Sequence, residues 1–499
     1  MKLRKLLKDI DVEEIKGSKE IEITGLCSNS KFAAPGNLFI AKRGGSYDGN
    51  IYIPEALDAG ASAILTDIYN PFYKNTVQLI HPDVPDVEAS LAANYYGSPD
   101  KKLLMVGVTG TNGKTTCSFM IKHLLDSVSK PCGLVGSLQY IIGSYHQEAS
   151  HTTPDVITNY RLLNNMVSEG CHAAVMEVSS HALDQNRVQG IQFDAAIFTN
   201  LSQDHLDYHK TMKRYASSKA LLFKGLSPRD KKALMPYHKT AIVNIDDPWN
   251  QYIIKSCKAP IITYAIDNDA DVSASSIIYG RESTTFDVSY GGSTLPFTTS
   301  FPGKYNVYNI LAVVAFGVTH GIPFETIPPL VSSIPAIAGR MQEVQNPLGI
   351  KVYVDSASTE DALHNVSSFL KSTAKNRLII VFGCGGNRDK SKRPKMAQAC
   401  EQHADICVVT TDNPRDENPE TICRSITRAF SSGTNYVVEV DRREAIHYAI
   451  KIAEPGDTVL IAGKGHEKKQ YFAHKTIPFD DVAIAEELCN DISQKKVTV

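Results

Sequence analysis

The sequence predicts an α/β protein of three domains, and three observations carry that prediction. Short apolar runs alternate with helix-like stretches along the whole chain, as in sheets covered by helices. Several of these runs break directly into glycine-rich or polar loops, where open parallel sheets place their ligands. The 499 residues also exceed what a single hydrophobic core covers. The expected units are a small N-terminal α/β domain (residues 1–99), a central parallel sheet of the P-loop, mononucleotide-binding type (100–338) and a C-terminal Rossmann-like α/β domain (339–499).

Composition narrows the function classes. A hydrophobic content of 42% with 21% charged residues is that of an ordinary soluble protein. A net charge of −2 without a dense basic tract argues against nucleic-acid binding. No run approaches the roughly 20 apolar residues of a membrane span. Met1-Lys-Leu-Arg-Lys-Leu-Leu-Lys also lacks the apolar core of a signal peptide. The ten cysteines are scattered without a C-x-x-C pair, which speaks against a zinc knuckle or a disulfide framework. A cytoplasmic monomer with reduced thiols, and no membrane or nucleic-acid partner, is expected.

In the first domain, Asn37-Leu-Phe-Ile-Ala41 and Ser62-Ala-Ile-Leu-Thr66 read as strands, with a helical run near Ile53 to Leu57 between them. Turns are expected at Pro35-Gly36, Gly44-Gly45 and Asp48-Gly49. Ser28, Asn29, Ser30 and Lys31 stand at a strand-to-loop transition, where such residues form turns as readily as they hold ligands. Tyr95-Tyr96-Gly97-Ser98-Pro99 has linker chemistry and marks the boundary.

The central domain opens on its most informative stretch. Leu103-Leu-Met-Val-Gly-Val-Thr109 is a strand-type run, Gly110-Thr-Asn-Gly-Lys-Thr-Thr116 a glycine-rich turn, and a helix-like run follows from Cys117 to Ser127. Glycines let backbone N–H groups approach phosphate oxygens, a lysine adds a point charge, and a threonine hydroxyl can ligate Mg²⁺ at the helix N-terminus. Gly110, Thr111, Asn112, Gly113, Lys114, Thr115 and Thr116 are therefore expected to hold a nucleoside triphosphate. The loop is shorter than G-x-x-x-x-G-K-[ST], with Val108 where that pattern puts its first glycine.

His172-Ala-Ala-Val-Met-Glu-Val178, Asp194-Ala-Ala-Ile-Phe-Thr199 and Thr240-Ala-Ile-Val-Asn-Ile245 continue the sheet. Residues 284–301, with a Gly291-Gly292 turn, read as an antiparallel hairpin at its edge. Glu177 ends a strand near the phosphate loop, where a carboxylate holds Mg²⁺ or merely caps and pairs. His205, on the loop after the next strand, reads equally as a metal ligand or a structural histidine. Lys219, on the helical run from Arg214 to Phe223, reads alone as a solvated lysine.

The last domain repeats the pattern of strand followed by polar loop. Leu378-Ile-Ile-Val-Phe382 runs into Gly383-Cys-Gly-Gly-Asn-Arg388, and Ala404-Asp-Ile-Cys-Val-Val409 into Asp412-Asn-Pro-Arg415. Asp457-Thr-Val-Leu-Ile-Ala462 runs into Gly463-Lys-Gly-His-Glu467. Three such strands suggest a second ligand crevice. Asp412, Asn413 and Arg415 offer a carboxylate, an amide and a guanidinium that suit a zwitterionic amino-acid end, with Arg388 as a further anchor. Asp-Asn-Pro is also plain turn chemistry.

Taken in order, Gly110-Thr-Asn-Gly-Lys-Thr-Thr, Glu177-Val-Ser-Ser-His-Ala-Leu and Thr199-Asn-Leu-Ser-Gln-Asp-His-Leu-Asp-Tyr-His resemble motifs of the Mur ligases of peptidoglycan synthesis. Tyr215-x-x-x-Lys219, Asn306-x-x-Asn309 and Gly339-Arg340-Met341 complete a resemblance that spans essentially the whole chain. The C-terminal motifs are similar to those of the branch that adds meso-diaminopimelate to UDP-MurNAc-L-Ala-D-Glu, and Arg415 favours meso-diaminopimelate over lysine.

The resemblance implies an ATP-dependent acid–amino-acid ligase that uses Mg²⁺. Catalysis would involve Lys114, Lys219 and His205, with a carbamylated Lys219 joining Thr115, Glu177 and His205 around the metal. Asn309, Arg340 and Asp355 would meet ATP. Ser30, Thr152, Thr153, Ser179, Gln185 and Arg187 would meet the UDP-muramyl peptide. The amino acid would be held by Arg388, Asp412, Asn413, Pro414, Arg415, Gly463 and Glu467. Closure of the last domain about residues 333–340 would bring amine to acyl phosphate. Sister ligases adding lysine or a dipeptide, and folylpolyglutamate synthase, are the nearest alternatives. A regulatory NTPase and an inactive UDP-peptide binder lie further off.

Two stretches depart from the family pattern. Asn29-Ser30-Lys31 stands where Asp-Ser-Arg is usual, and Asn50 where histidine is common. After Asp355, Ser356, Ser358 and Glu360 replace Tyr, His and Pro, which predicts weaker or reoriented adenine contact.

Overall fold

Three sheets of five, eleven and six strands follow one another along the chain, with a two-stranded ribbon beside the last. The computed structural model describes residues 1–43, 48–228, 232, 238–280 and 283–497. In the first sheet Gly25–Cys27, Asn37–Ile40, Ala63–Thr66 and Val77–Ile80 run parallel, and Glu14–Lys16 closes one edge antiparallel. The helical run between the two expected strands is Ile53–Asp58. Gly36 makes its turn at φ +83°, and Asp48 caps the short helical turn Gly49–Tyr52. The Gly44-Gly45 turn lies outside the described residues. The stretch with linker chemistry instead ends helix Val84–Tyr96, with Gly97 as its left-handed C-cap.

In the central sheet Leu104–Thr109 lies between Ala173–Glu177 and Ala195–Phe198 and runs parallel to both. The loops after these three strands therefore open on one edge. Thr240–Asn244, Ile261–Ala265 and Val272–Tyr279 continue in parallel, and the expected antiparallel hairpin Thr284–Tyr290/Ser293–Thr299 ends the sheet. The other edge goes beyond the expectation. Cys132–Val135 adds in parallel, then Gln139–Ile142 and Tyr145–Glu148 fold back antiparallel. That last strand is exposed at every residue, so no apolar alternation announces it.

Helix Lys304–Thr319 is apolar all round from Ile310 to Gly317, and that stretch is buried throughout. Val307, Ile310, Leu311, Val313, Val314 and Phe316 are fully enclosed between the sheet and helix Lys114–Ser127. At roughly 1.5–3 kcal/mol for each such side chain, this packing fixes the helix's first turn against the phosphate loop.

In the third sheet Leu378–Phe382 lies between Thr458–Ala462 and Ile406–Val409, all parallel. Lys351–Asp355 and Tyr436–Val438 extend it in parallel, and Gln342–Val344 adds antiparallel. The three strands expected to end in ligand loops are neighbours, so their loops meet.

Candidate active site

The phosphate loop is built by close backbone approach. A Cβ on Gly110 would stand 1.8 Å from Thr199 Oγ1, and one on Gly113 only 2.4 Å from Asn309 Oδ1. Gly113 also has φ +87°, which L side chains rarely adopt. Asn200 braces the loop by accepting from Thr111 N at 2.8 Å (backbone O) and Asn112 N at 2.9 Å (Oδ1). Lys114 Nζ donates to the carbonyls of Gly110 and Thr111 at 3.0 and 2.7 Å. Helix Lys114–Ser127 starts at the loop, so its first-turn N–H groups and dipole face the same cavity.

The oxygen donors expected around a metal meet only in part. Thr115 Oγ1 donates to Glu177 Oε2 at 2.9 Å and lies 3.0 Å from Ser137 Oγ. Ser137 also donates to Glu177 through its backbone N–H at 2.9 Å. Ser137 follows the unexpected strand Cys132–Val135, and a polar residue just beyond a parallel strand is the signal that could have found it. His205 pairs instead with Asp204 at 3.3 Å, and burial holds its imidazole down at about 3. Among the described residues no cluster of three or more His, Cys, Asp or Glu side chains is arranged to hold a metal.

Lys219 is not the solvated lysine its composition suggests. It is fully buried, its Nζ donates to Gly110 O at 2.7 Å, and it lies 4.4 Å from the centre of the Tyr215 ring. Burial, and secondarily the charge of Lys114, hold this amine well below the usual lysine range.

A cavity of about 320 Å³ joins the central and last sheets. Thr111 to Thr116, Ser137 and Asn309 form one side, and Arg340, Asp355, Ser356, Ser358, Gly463 and Glu467 the other. Arg340 crosses the seam to donate to Thr115 Oγ1 at 2.9 Å, and Asn112 Nδ2 donates to Asp361 Oδ2 at 2.7 Å. Asp355 is buried and accepts from the backbone of Met341 and Ala357, so it shapes this wall. Ser356, in the divergent stretch, donates to Gly339 O at 2.9 Å.

The polar loops that follow the three neighbouring strands of the last sheet converge. Asn413 Nδ2 donates to Glu467 Oε2 at 2.7 Å, and Arg415 Nη1 donates to Gly386 O at 2.9 Å. Arg388 is near enough to depress the Arg415 guanidinium, after burial. A Cβ on Gly463 would stand 2.7 Å from Asp412 Oδ2. Pro414 shares this loop, and its carbonyl lies 1.9 Å from where a Gly386 Cβ would sit. Beneath the loops is a pair the sequence did not announce. Arg442 binds Asp481 at 2.8 and 2.7 Å, donates to Ala462 O at 3.0 Å, and is completely enclosed.

The residues expected at the UDP-peptide divide into two groups. Thr153 Oγ1 donates to Glu177 O at 2.7 Å and accepts from Ser179 N at 3.1 Å. Arg187 reaches Thr153 O and Gln185 Oε1 at 3.1 and 2.6 Å, and Thr152 adjoins this group in sequence. Ser30 lines a separate cavity in the first sheet with Lys42 and Tyr52, and donates to Glu55 at 2.6 Å. Asn50 is spent within the fold, donating to Asp67 and accepting from Thr66, both at 2.8 Å.

A phosphate loop facing a second set of ligand loops across one cavity defines a nucleotide-dependent enzyme with a further substrate. The Mur ligase middle domain matches residues 108–317, the Mur ligase glutamate ligase domain 339–465, and the Mur ligase family catalytic domain 22–96. The chain is 39% identical to a UDP-N-acetylmuramoyl-L-alanyl-D-glutamate–2,6-diaminopimelate ligase of Caldanaerobacter subterraneus, over 98% of this chain and 99% of that one. The protein of that name from Chlamydia pneumoniae is 42% identical over 96% and 98%. A solved structure of a ligase with this name has a TM-score of 0.67 at 29% identity, covering 98% of this chain and 99% of its own. The MurF ligase of Thermotoga maritima in complex with ADP shares the fold at TM-score 0.65 and 18% identity, covering 95% and 98%. The chain belongs to the Mur ligase family, the ATP-dependent ligases of peptidoglycan precursor synthesis.

Proposed function

We propose that this protein joins meso-diaminopimelate to the D-glutamate of UDP-MurNAc-L-Ala-D-Glu, with ATP cleaved to ADP and phosphate. The carrying observation is that the phosphate loop and the loop bearing Gly463 and Glu467 line one cavity. The relatives named for this activity, 39–42% identical over nearly their whole length, support the choice of substrates.

In this reading residues 1–99 hold the uridine nucleotide, 100–338 ATP and 339–499 the amino acid. The γ-phosphoryl passes to the D-glutamate side-chain carboxylate and forms an acyl phosphate. The amine attacks that carbonyl, and the tetrahedral adduct expels phosphate. Lys114 and Arg340 offset charge on the transferring group, and loop N–H groups orient it. Thr115, Ser137 and Glu177 present two hydroxyls and a carboxylate within 3.2 Å of one another, a hard-oxygen set that fits Mg²⁺. Bound there, the ion would supply charge neutralisation. Lys219 offers a buried amine whose charged form burial disfavours, and to its neutral form CO₂ can form an N–C bond with loss of a proton, leaving a carbamate beside the phosphate loop. His205, which lines the same cavity, would turn from Asp204 to join the metal-side group. Cytoplasmic placement and a monomeric state belong to the same reading.

Phosphate release with UDP-MurNAc-L-Ala-D-Glu, with and without each candidate amino acid, tests it. Turnover is expected only with ATP, the UDP-dipeptide and meso-diaminopimelate together, and Arg415→Ala abolishes use of that amino acid. Preference for lysine would assign the sister branch, and phosphate release without the UDP-dipeptide would point to a switch NTPase.

A further inference from the structure

Lys464 lies between the amino-acid loops, and its side chain is 0% exposed. Its ammonium has three protons, and three acceptors surround it: Asn413 Oδ1 at 3.0 Å, Glu467 Oε2 at 2.9 Å and Lys469 O at 2.7 Å. No proton remains for a substrate, so Lys464 acts only through its partners.

Those partners are thereby fixed in orientation. Asn413 Oδ1 also accepts from Tyr471 N at 3.1 Å, so its Nδ2 must point to Glu467 Oε2, where it donates at 2.7 Å. Glu467 Oε2 thus receives both Asn413 and Lys464, while the Glu467 side chain stays 40% exposed. The second carboxylate oxygen is left to face a ligand. A free Glu467 would sample several rotamers, and this one is held before the substrate arrives.

We propose that Lys464 is a positioning residue for amino-acid specificity, holding Asn413 and Glu467 so that the open Glu467 oxygen receives the second, non-reacting ammonium of a diamino acid. The inference rests on the reading that the loops of Arg415 and Glu467 hold the amino acid. Arg415 would answer the distal carboxylate, and the Lys464–Asn413–Glu467 triangle the distal ammonium.

The test compares meso-diaminopimelate with 2-aminopimelate, which keeps the distal carboxylate but lacks the distal ammonium. Wild-type enzyme is expected to show a much higher KM for 2-aminopimelate. Lys464→Met is expected to raise KM for meso-diaminopimelate about 30-fold and to leave KM for 2-aminopimelate within twofold. Lys464→Gln, which keeps two donors, guards against a variant that fails to fold and should shift KM in the same direction by less. An equal rise for both amino acids, or no rise for either, would overturn the role of Lys464. A wild-type enzyme that treats the two alike would instead overturn the assignment of Glu467.

Discussion

Lys392 Nζ stands 3.4 Å from Asp204 Oδ1, so the first helix residue after the Gly383–Arg388 loop touches the rim of the phosphate site. Burial opposes the Asp204 charge, yet Lys392 and His205 hold its carboxyl below the ordinary range. Gln203 reinforces this seam through Ser391 at 2.8 Å and Lys395 at 2.5 Å. Lys392→Ala removes a hydrogen bond between charged groups of about 1.5–3 kcal/mol. The amino-acid KM is expected to rise roughly ten- to a hundredfold, with nucleotide affinity nearly unchanged, as read by steady-state kinetics and calorimetric titration of a non-hydrolysable ATP analogue.

Gly113→Ala places a methyl group 2.4 Å from Asn309 Oδ1 at a backbone angle of +87°. The loop must shift or helix Lys304–Thr319 must move, and that helix is anchored on every side. Nucleotide binding is expected to weaken by a factor on the order of 100, about 2.7 kcal/mol. The unfolding temperature should change much less.

His320 gives a pH signature. Burial, opposed weakly by the Phe316 carbonyl, holds its imidazole down at about 4. The folded state then binds fewer protons than the unfolded state between roughly pH 4 and 6.5, so stability rises with pH across that window. The stabilisation is complete above the unfolded value and lost as pH falls through the folded one, about 3 kcal/mol at most from this group. Urea midpoints at pH 7.5 and 4.5 should differ accordingly, and His320→Asn should narrow the difference.

Removing one partner of Arg442–Asp481 leaves a buried charge unpaired. Arg442→Met or Asp481→Leu alone should cost about 3–5 kcal/mol, and the double variant should recover a large part of that. Equal losses in all three, measured by chemical denaturation, would mean that packing rather than charge sets the effect.

The divergent wall of the nucleotide cavity carries Ser356 and Ser358, without the ring the family resemblance leads one to expect there. An ATP KM above the range of the related ligases is expected, and Ser358→His should lower it. A KM within that range would refute weakened adenine contact.

What could be read from the sequence depended on how locally the chemistry is written. The phosphate loop has its strand, glycines, Lys114 and helix within one short stretch, so the residue order already carried its geometry. The three polar loops of the last sheet were also visible, because each follows an apolar strand. Lys464, Lys392 and Arg442 were not, since Asn413, Asp204 and Asp481, which they bind across the fold, lie 51, 188 and 39 positions away and a buried cation looks in sequence like any surface lysine or arginine. Lys219 shows the same failure most sharply. Composition places it in water, whereas the fold encloses it beneath Gly110. The hairpin of Gln139–Ile142 and Tyr145–Glu148 escaped because an exposed edge strand needs no apolar alternation.

Asp481 opens the helix Asp481–Val497, and through Arg442 it anchors the carbonyl just before Gly463. During translation every residue proposed to hold the amino acid, up to Glu467, leaves the ribosome before that anion does. A nascent chain can therefore shape its phosphate loop long before its amino-acid loops are secured. A cut or stop shortly before residue 481 would yield a polypeptide with each contact residue present and no buried counterion beneath them. Such a product should fail to select its amine, because the core side chains Ala485, Leu488, Cys489 and Ile492 go with the anion.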